Sequence, residues 1–164
     1  MAALVVVMGV SGVGKTTVGS RLARRLGWAF LDADDFHPPA NVEKMSQGIA
    51  LTDRDRQPWL DAIAAALEHD GPAVLACSAL KESYRYRLVP ERTRVRWVWL
   101  TGSAETITQR MAQRSEHFMP VELLRSQLAT LEPPKEAAVL DIEQPPSALV
   151  DSILDQYPEL ASLG

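Results

Sequence analysis

At 164 residues the chain is the size of one typical domain, enough to bury about 70% of its unfolded surface in a single core and too short for two full-sized domains. With 46% hydrophobic and 23% charged residues it has a globular composition, which excludes a disordered tail protein or a fibrous repeat. The formal net charge of -4 argues against a nucleic-acid backbone as the main partner, and the single cysteine, Cys77, excludes an intrachain disulfide and any Cys/His set with structural-zinc spacing.

The longest apolar run, residues 2–8, is far below the roughly 18 that a membrane span needs, and no basic stretch precedes it as in a secretion signal. A protein of the reducing cytosol is expected, with no membrane partner. Leu4-Val5-Val6-Val7-Met8 is apolar without alternation, the pattern of a strand covered on both faces in a parallel sheet. After a glycine-rich turn, Val18, Leu22 and Leu26 recur every four residues and Arg24 and Arg25 precede Gly27, which predicts a helix over 15–26. A second strand is expected at 28–31, followed by a polar loop over 32–41 rich in Asp, His and Pro.

A short helix over 41–47 ends at Gly48. The next helix is expected over 56–69, with Leu60, Ile63, Ala64 and Leu67 on its buried face and Pro58 confined to its first turn. Strands at 73–77, 95–100 and 137–142 alternate with helices ending near Leu88, running through Ile107 and Met111, over 120–131, and closing the chain at 147–156. Five strands interleaved with helices imply one α/β domain over 1–164, an open five-stranded parallel sheet with helices on both faces. The segment Trp97-Val98-Trp99 is read as a sheet face packed on helices rather than a base-stacking surface, and Cys77 as a buried structural thiol.

The chemistry starts at Gly9-Val10-Ser11-Gly12-Val13-Gly14-Lys15-Thr16, which matches G-x-x-x-x-G-K-[ST] between a buried strand and a helix. Glycines let successive N–H groups curl inward, the helix N-terminus adds positive potential, Lys15 reaches the outer phosphates and Thr16 offers its hydroxyl to Mg²⁺. Thr17, next in the helix, is counted with residues 9–16 among the ATP-binding residues. The chain lacks a guanine-reading Asn-Lys-x-Asp segment, which speaks against a GTPase switch. Asp32 and Asp34 follow the second strand two residues apart, at the carboxyl edge where open α/β sheets bind ligands, so one can serve the metal and the other an acceptor.

Beyond this motif, the stretches Phe30-Leu-Asp-Ala-Asp, His37-Pro-Pro-Ala-Asn-Val-Glu-Lys-Met, Leu51-Thr-Asp-Arg-Asp-Arg-Gln-Pro-Trp-Leu, Cys77-Ser-Ala-Leu-Lys, His117-Phe-Met-Pro and Asp141-Ile-Glu-Gln-Pro closely resemble the gluconate kinases, small P-loop enzymes related in fold to shikimate kinase. The resemblance covers nearly the whole chain. It implies a three-layer P-loop kinase fold with a small lid near 110–122 and a substrate region near 32–60. The implied activity is transfer of the γ-phosphoryl of ATP to the 6-hydroxyl of D-gluconate, with Mg²⁺. It also implies a homodimer.

By similarity, Asp32 belongs to the metal's water shell and Asp34 orients or deprotonates the acceptor hydroxyl, with loop solvation and helix capping as the plainer role for Asp34 and Asp35. Gluconate is a carboxylate bearing hydroxyls, so its pocket needs a fixed cation and neutral donors. Arg56 is the first choice, Arg54 its alternative, and a surface ion pair with Asp53 or Asp55 the plainer reading of Arg56. His37 and Lys81 are further candidates to meet the substrate, against loop packing and solvation. Arg110 and Arg114, on one helical face directly before the 115–120 segment of the lid, are assigned to the charge of the transferring group, and Gln144 and Pro145, after the last strand, to the adenine. The rival readings are a kinase for shikimate or another hydroxy acid, and a nucleotide-binding module that has lost phosphoryl transfer.

Overall fold

The computed structural model describes residues 3–68, 71–89, 93–113 and 122–163. Five strands, β1 (Ala3–Met8), β2 (Ala29–Asp32), β3 (Ala73–Ala76), β4 (Arg94–Thr101) and β5 (Ala138–Asp141), form one parallel sheet in the order β2-β3-β1-β4-β5. The strand count and the parallel pairing agree with the sequence reading. Every residue of β1 is buried, as its unbroken apolar run requires of a central strand flanked by β3 and β4.

Helix α1 (Lys15–Leu26) has the expected ends, because Gly27 adopts a left-handed conformation (φ 71°) and its N–H reaches back to the carbonyls of Ala23 and Arg24. Val18 and Leu22 on its inner face are almost fully buried among the sheet residues Val5, Val74 and Leu75 of the same core. Trp97 and Trp99 lie half-buried against that core, in keeping with a packed sheet face. Among the described residues no helix is long and apolar enough to cross a membrane.

Between β2 and β3 the structure departs from the sequence reading in two places. The expected loop after β2 is in fact a short 3-10 helix, Ala33–Phe36, capped by Asp32, whose Oδ1 accepts the N–H of Asp34 at 3.0 Å. Helix α2 (Pro39–Ser46) then begins two residues earlier than expected, with Pro39 in the first turn.

Helix α3 (Asp53–Leu67) starts three residues before the expected Arg56, so Pro58 lies inside it rather than in its first turn. The cause is a capping box. Thr52 Oγ1 accepts the N–H of Asp55 at 3.0 Å, and Asp55 Oδ2 accepts that of Thr52 at 2.9 Å. Two satisfied donors and the exposed position of Pro58 outweigh the one helical hydrogen bond that proline cannot make. By the helical period Arg56 shares a stripe with the buried Trp59, Leu60 and Ile63, whereas Arg54 is exposed.

The remaining helices are α4 (Glu82–Leu88), α5 (Ala104–Ala112), α6 (Glu122–Thr130) and α7 (Pro146–Gln156), and the chain closes with a 3-10 turn at Pro158–Ser162. A small second cluster of buried residues stands apart from the main core: Met45 of α2, Leu51 before α3, and Leu123 of α6.

Candidate active site

The loop after β1 folds as the motif requires. Gly9 holds a φ of 145°, and a Cβ there would meet the Leu100 carbonyl oxygen of β4 at 2.6 Å, so only glycine lets the loop leave the strand so close to its neighbour. Gly14 takes a left-handed φ of 93° at the N-cap of α1, which turns the chain into the helix. Val10 and Val13 are buried in the main core and anchor the loop from below. Ser11, Gly12, Gly14, Lys15 and Thr16 face a cleft, and Lys15 Nζ donates to the Val10 carbonyl at 3.0 Å, keeping its charge at the loop's mouth. Thr17 is exposed and lies outside the cleft lining.

One continuous cleft joins this loop to the ends of the neighbouring elements. Besides the loop residues it is lined by Asp32, Asp34, His37, Arg56 and Ser78, with Met45, Ala50, Leu51, Trp59, Leu80 and Leu123 as its apolar wall. Thr16 Oγ1 donates to Asp32 Oδ2 at 2.8 Å, so the hydroxyl and carboxylate named in the sequence as metal partners already touch. Among the described residues no group of three or more His, Cys, Asp or Glu is placed to hold a metal ion. A hydroxyl and one carboxylate beside a phosphate cradle fit Mg²⁺, which keeps several waters and takes its other ligands from phosphate oxygens.

Arg56 is held from behind. Its Nη1 donates to the Leu51 carbonyl and to the Tyr84 hydroxyl, both at 3.0 Å, and the guanidinium lies 5.3 Å over the Tyr84 ring. Tyr84 in turn donates to the Asp53 carboxylate, which also receives Lys81 at 2.9 Å. Those two contacts, Tyr84 first, hold the Asp53 carboxyl below its usual range. The ion pair expected as the plainer fate of Arg56 belongs instead to Lys81 and Asp53, and Asp55 pairs with Lys44 at 2.9 Å. His37 stacks on Trp59 with ring centroids 4.4 Å apart and planes 8° from parallel.

The structure does not bring every sequence candidate to this cleft. Lys81 is outside its lining, turned to Asp53. Arg110 donates to the Ile142 carbonyl at 2.5 Å, which sets it against the turn that carries the exposed Gln144 and Pro145 beyond β5. None of these three lines the cleft. Arg114 and most of the expected lid lie outside the described residues. Cys77 is fully buried at the end of β3, and that burial pushes its thiol up to about 12, as suits a structural residue and not a nucleophile.

Gln127 was not visible from sequence. Its side chain is buried, lines the cleft, and grips the phosphate loop: Oε1 accepts the Ser11 N–H at 2.8 Å and Nε2 donates to Ser11 Oγ at 3.2 Å. Its partner lies 116 positions away, so no local pattern announces it. Gln127→Leu deprives both Ser11 groups of this partner at a cost of about 1–3 kcal/mol. The nucleotide-free variant is expected to melt ~5 °C lower in a thermal unfolding scan, and an unchanged midpoint would show that the contact does not hold the loop.

Comparison with known proteins places this geometry. The family described as "AAA domain" matches residues 4–134. A probable gluconokinase of Xenopus tropicalis is 44% identical, with 92% of this chain and 90% of its own length aligned. The gluconokinase of Gluconobacter oxydans (strain 621H) is 53% identical across 79% of this chain and 75% of its own. A gluconokinase from Sinorhizobium meliloti 1021, known from a crystal structure, superposes with a TM-score of 0.86 at 44% identity, covering 98% of this chain and 94% of that one. With similarity of that depth over most of its length, the chain belongs to the gluconokinase family of P-loop kinases.

Proposed function

We propose that the chain transfers the γ-phosphoryl of ATP to the 6-hydroxyl of D-gluconate, giving 6-phospho-D-gluconate and ADP. The observation that carries this reading is one cleft lined together by the phosphate loop with Lys15, by Asp34 and by the fixed Arg56. Phosphoryl transfer asks little covalent chemistry of a protein, so positioning and charge account for most of the rate. Loop amides and Lys15 hold the phosphate tail, Arg56 takes the planar carboxylate as a fork, and His37 with the apolar wall orients the polyol. Asp34 aligns the attacking hydroxyl and accepts its proton as the bond to phosphorus forms.

Thr16 and Asp32 would hold Mg²⁺, which would supply positive charge to neutralise the phosphates during transfer. Arg110 and Arg114 are assigned to the charge of the transferring group, within a lid spanning about 110–122 that excludes water and so spares ATP from hydrolysis. Gln144 and Pro145 are assigned to the adenine, and Lys81 to the acceptor side, where it neutralises Asp53 and so leaves the charge of Arg56 for the substrate. The substrate region spans about 32–60. A cytosolic homodimer completes the reading; the family resemblance supports the dimer, and the lone buried thiol suits a reducing compartment.

Parallel assays of ADP release with gluconate and with shikimate test the acceptor. Gluconate is expected to be turned over and shikimate to give only the acceptor-free background. Equal or faster release with shikimate would end the gluconate assignment, and ATP binding without acceptor-dependent release would point to a module without transferase activity.

A further inference from the structure

Asn41, in α2, is only 4% exposed, and its Nδ2 has two neighbours: the backbone carbonyl of Asp55 at 2.9 Å and His37 Nδ1 at 3.3 Å. A peptide carbonyl can only accept, so the Asn41 atom facing it must carry hydrogens, and this settles which way the amide is turned. The same NH₂ group therefore presents its second hydrogen to His37 Nδ1. A hydrogen on that ring nitrogen would set two donors against each other, so Nδ1 keeps its lone pair and the proton of the neutral ring resides on Nε2.

Other contacts keep the ring in this state. The imidazole stacks on Trp59, whose Nε1 donates to the Ala33 carbonyl at 2.7 Å, so the platform beneath it is itself tied down. Burial first, and the charge of Arg56 second, hold His37 down to about 4, so it is neutral at physiological pH. Of the carboxylates nearby, Asp55 is turned to Lys44 and the Thr52 N–H, and Asp34 lines the same cleft.

We propose that Asn41 is a positioning residue that locks His37 in its Nε2–H tautomer, so that His37 presents a neutral hydrogen-bond donor to an oxygen of the acceptor. This rests on the acceptor site described above. It assigns a division of labour: Arg56 recognises the charge of a sugar acid, and His37 recognises one of its oxygens without adding a second cation that would favour a phosphorylated or doubly charged rival.

Nitrogen-15 spectra of the histidines at neutral pH test the tautomer directly, with the His37 signals identified by their loss in His37→Gln. The expected result is a pyridine-type Nδ1 and a pyrrole-type Nε2 in the wild type. In Asn41→Asp the added carboxylate accepts from Nδ1, and the pattern is expected to reverse, with the proton leaving Nε2. Asn41→Asp and His37→Leu are expected to raise the gluconate KM by ~10-fold, with kcat and the ATP KM changed far less. His37→Gln, whose amide N–H stands near the place of Nε2–H, should lose less than His37→Leu. In the His37→Gln background, Asn41→Leu should add little further loss, because no tautomer remains to be set.

A pyrrole-type Nδ1 in the wild type would overturn the proposal whether or not the variants fold, and so would a gluconate KM that His37→Leu leaves unchanged. Neither result resembles failure of the acceptor assignment, which would appear as a wild-type protein that does not turn gluconate over at all.

Discussion

Lys15→Ala is expected to lower turnover with saturating ATP and gluconate by ~10²–10³-fold, the loss that follows removal of one preorganised charge partner from a transition state. Lys15 lies at the mouth of the loop, its Nζ on the Val10 carbonyl, where the outer phosphates must arrive. The remaining amides still curl around a phosphate without it, so ATP binding should weaken less than catalysis. Lys15→Arg is expected to restore little, because a planar fork cannot occupy the site of a compact ammonium. Steady-state rates measured against both substrates decide the matter, and near-wild-type turnover in Lys15→Ala would remove the loop from the mechanism.

The second large effect is expected at the opposite wall. Arg56→Ala should raise the gluconate KM by ~10–100-fold, the loss of about 1.5–3 kcal/mol for a hydrogen bond to a charged group, and leave the ATP KM near its wild-type value. Tyr84 and the Leu51 carbonyl prepay the ordering of the guanidinium, so the arginine meets its substrate already oriented. Arg56→Lys keeps the charge but cannot serve Leu51, Tyr84 and a carboxylate together, and should recover only part of the loss. A rise in the ATP KM in place of the gluconate KM would move Arg56 to the nucleotide side.

How far these residues could be read in advance followed the distance over which their meaning is decided. The phosphate loop and α1 are local objects: the glycines, Lys15 and the Gly27 stop lie within one strand-turn-helix unit, and both helix ends agree with the expectation. The start of α3 was misjudged because Pro58 stood out as a first-turn residue, although the Thr52 and Asp55 pair that begins the helix was present in the same stretch. Arg56 lines the cleft and Arg54 does not, because helical spacing puts residue 56 on one face with the buried Trp59, Leu60 and Ile63.

Asn41, read only as the beginning of a short helix, takes its role from a carbonyl in α3 and a ring before α2, and Gln127 takes its role from the far end of the chain. The strand order β2-β3-β1-β4-β5 was likewise out of reach, because apolar runs show that strands are covered on both faces without showing which strands are neighbours. The polar segment after β2 was recognised as a site, yet its 3-10 turn was not, since it depends on Asp32 accepting a backbone N–H two residues on.

Met45, Leu51 and Leu123 touch one another apart from the apolar body that supports the sheet, and all three line the cleft. A wall built this way can be recontoured by exchanging three side chains while the machinery that handles ATP stays undisturbed. Divergence toward a longer, shorter or differently hydroxylated acid would therefore begin at this trio, and the phosphate loop would be inherited intact.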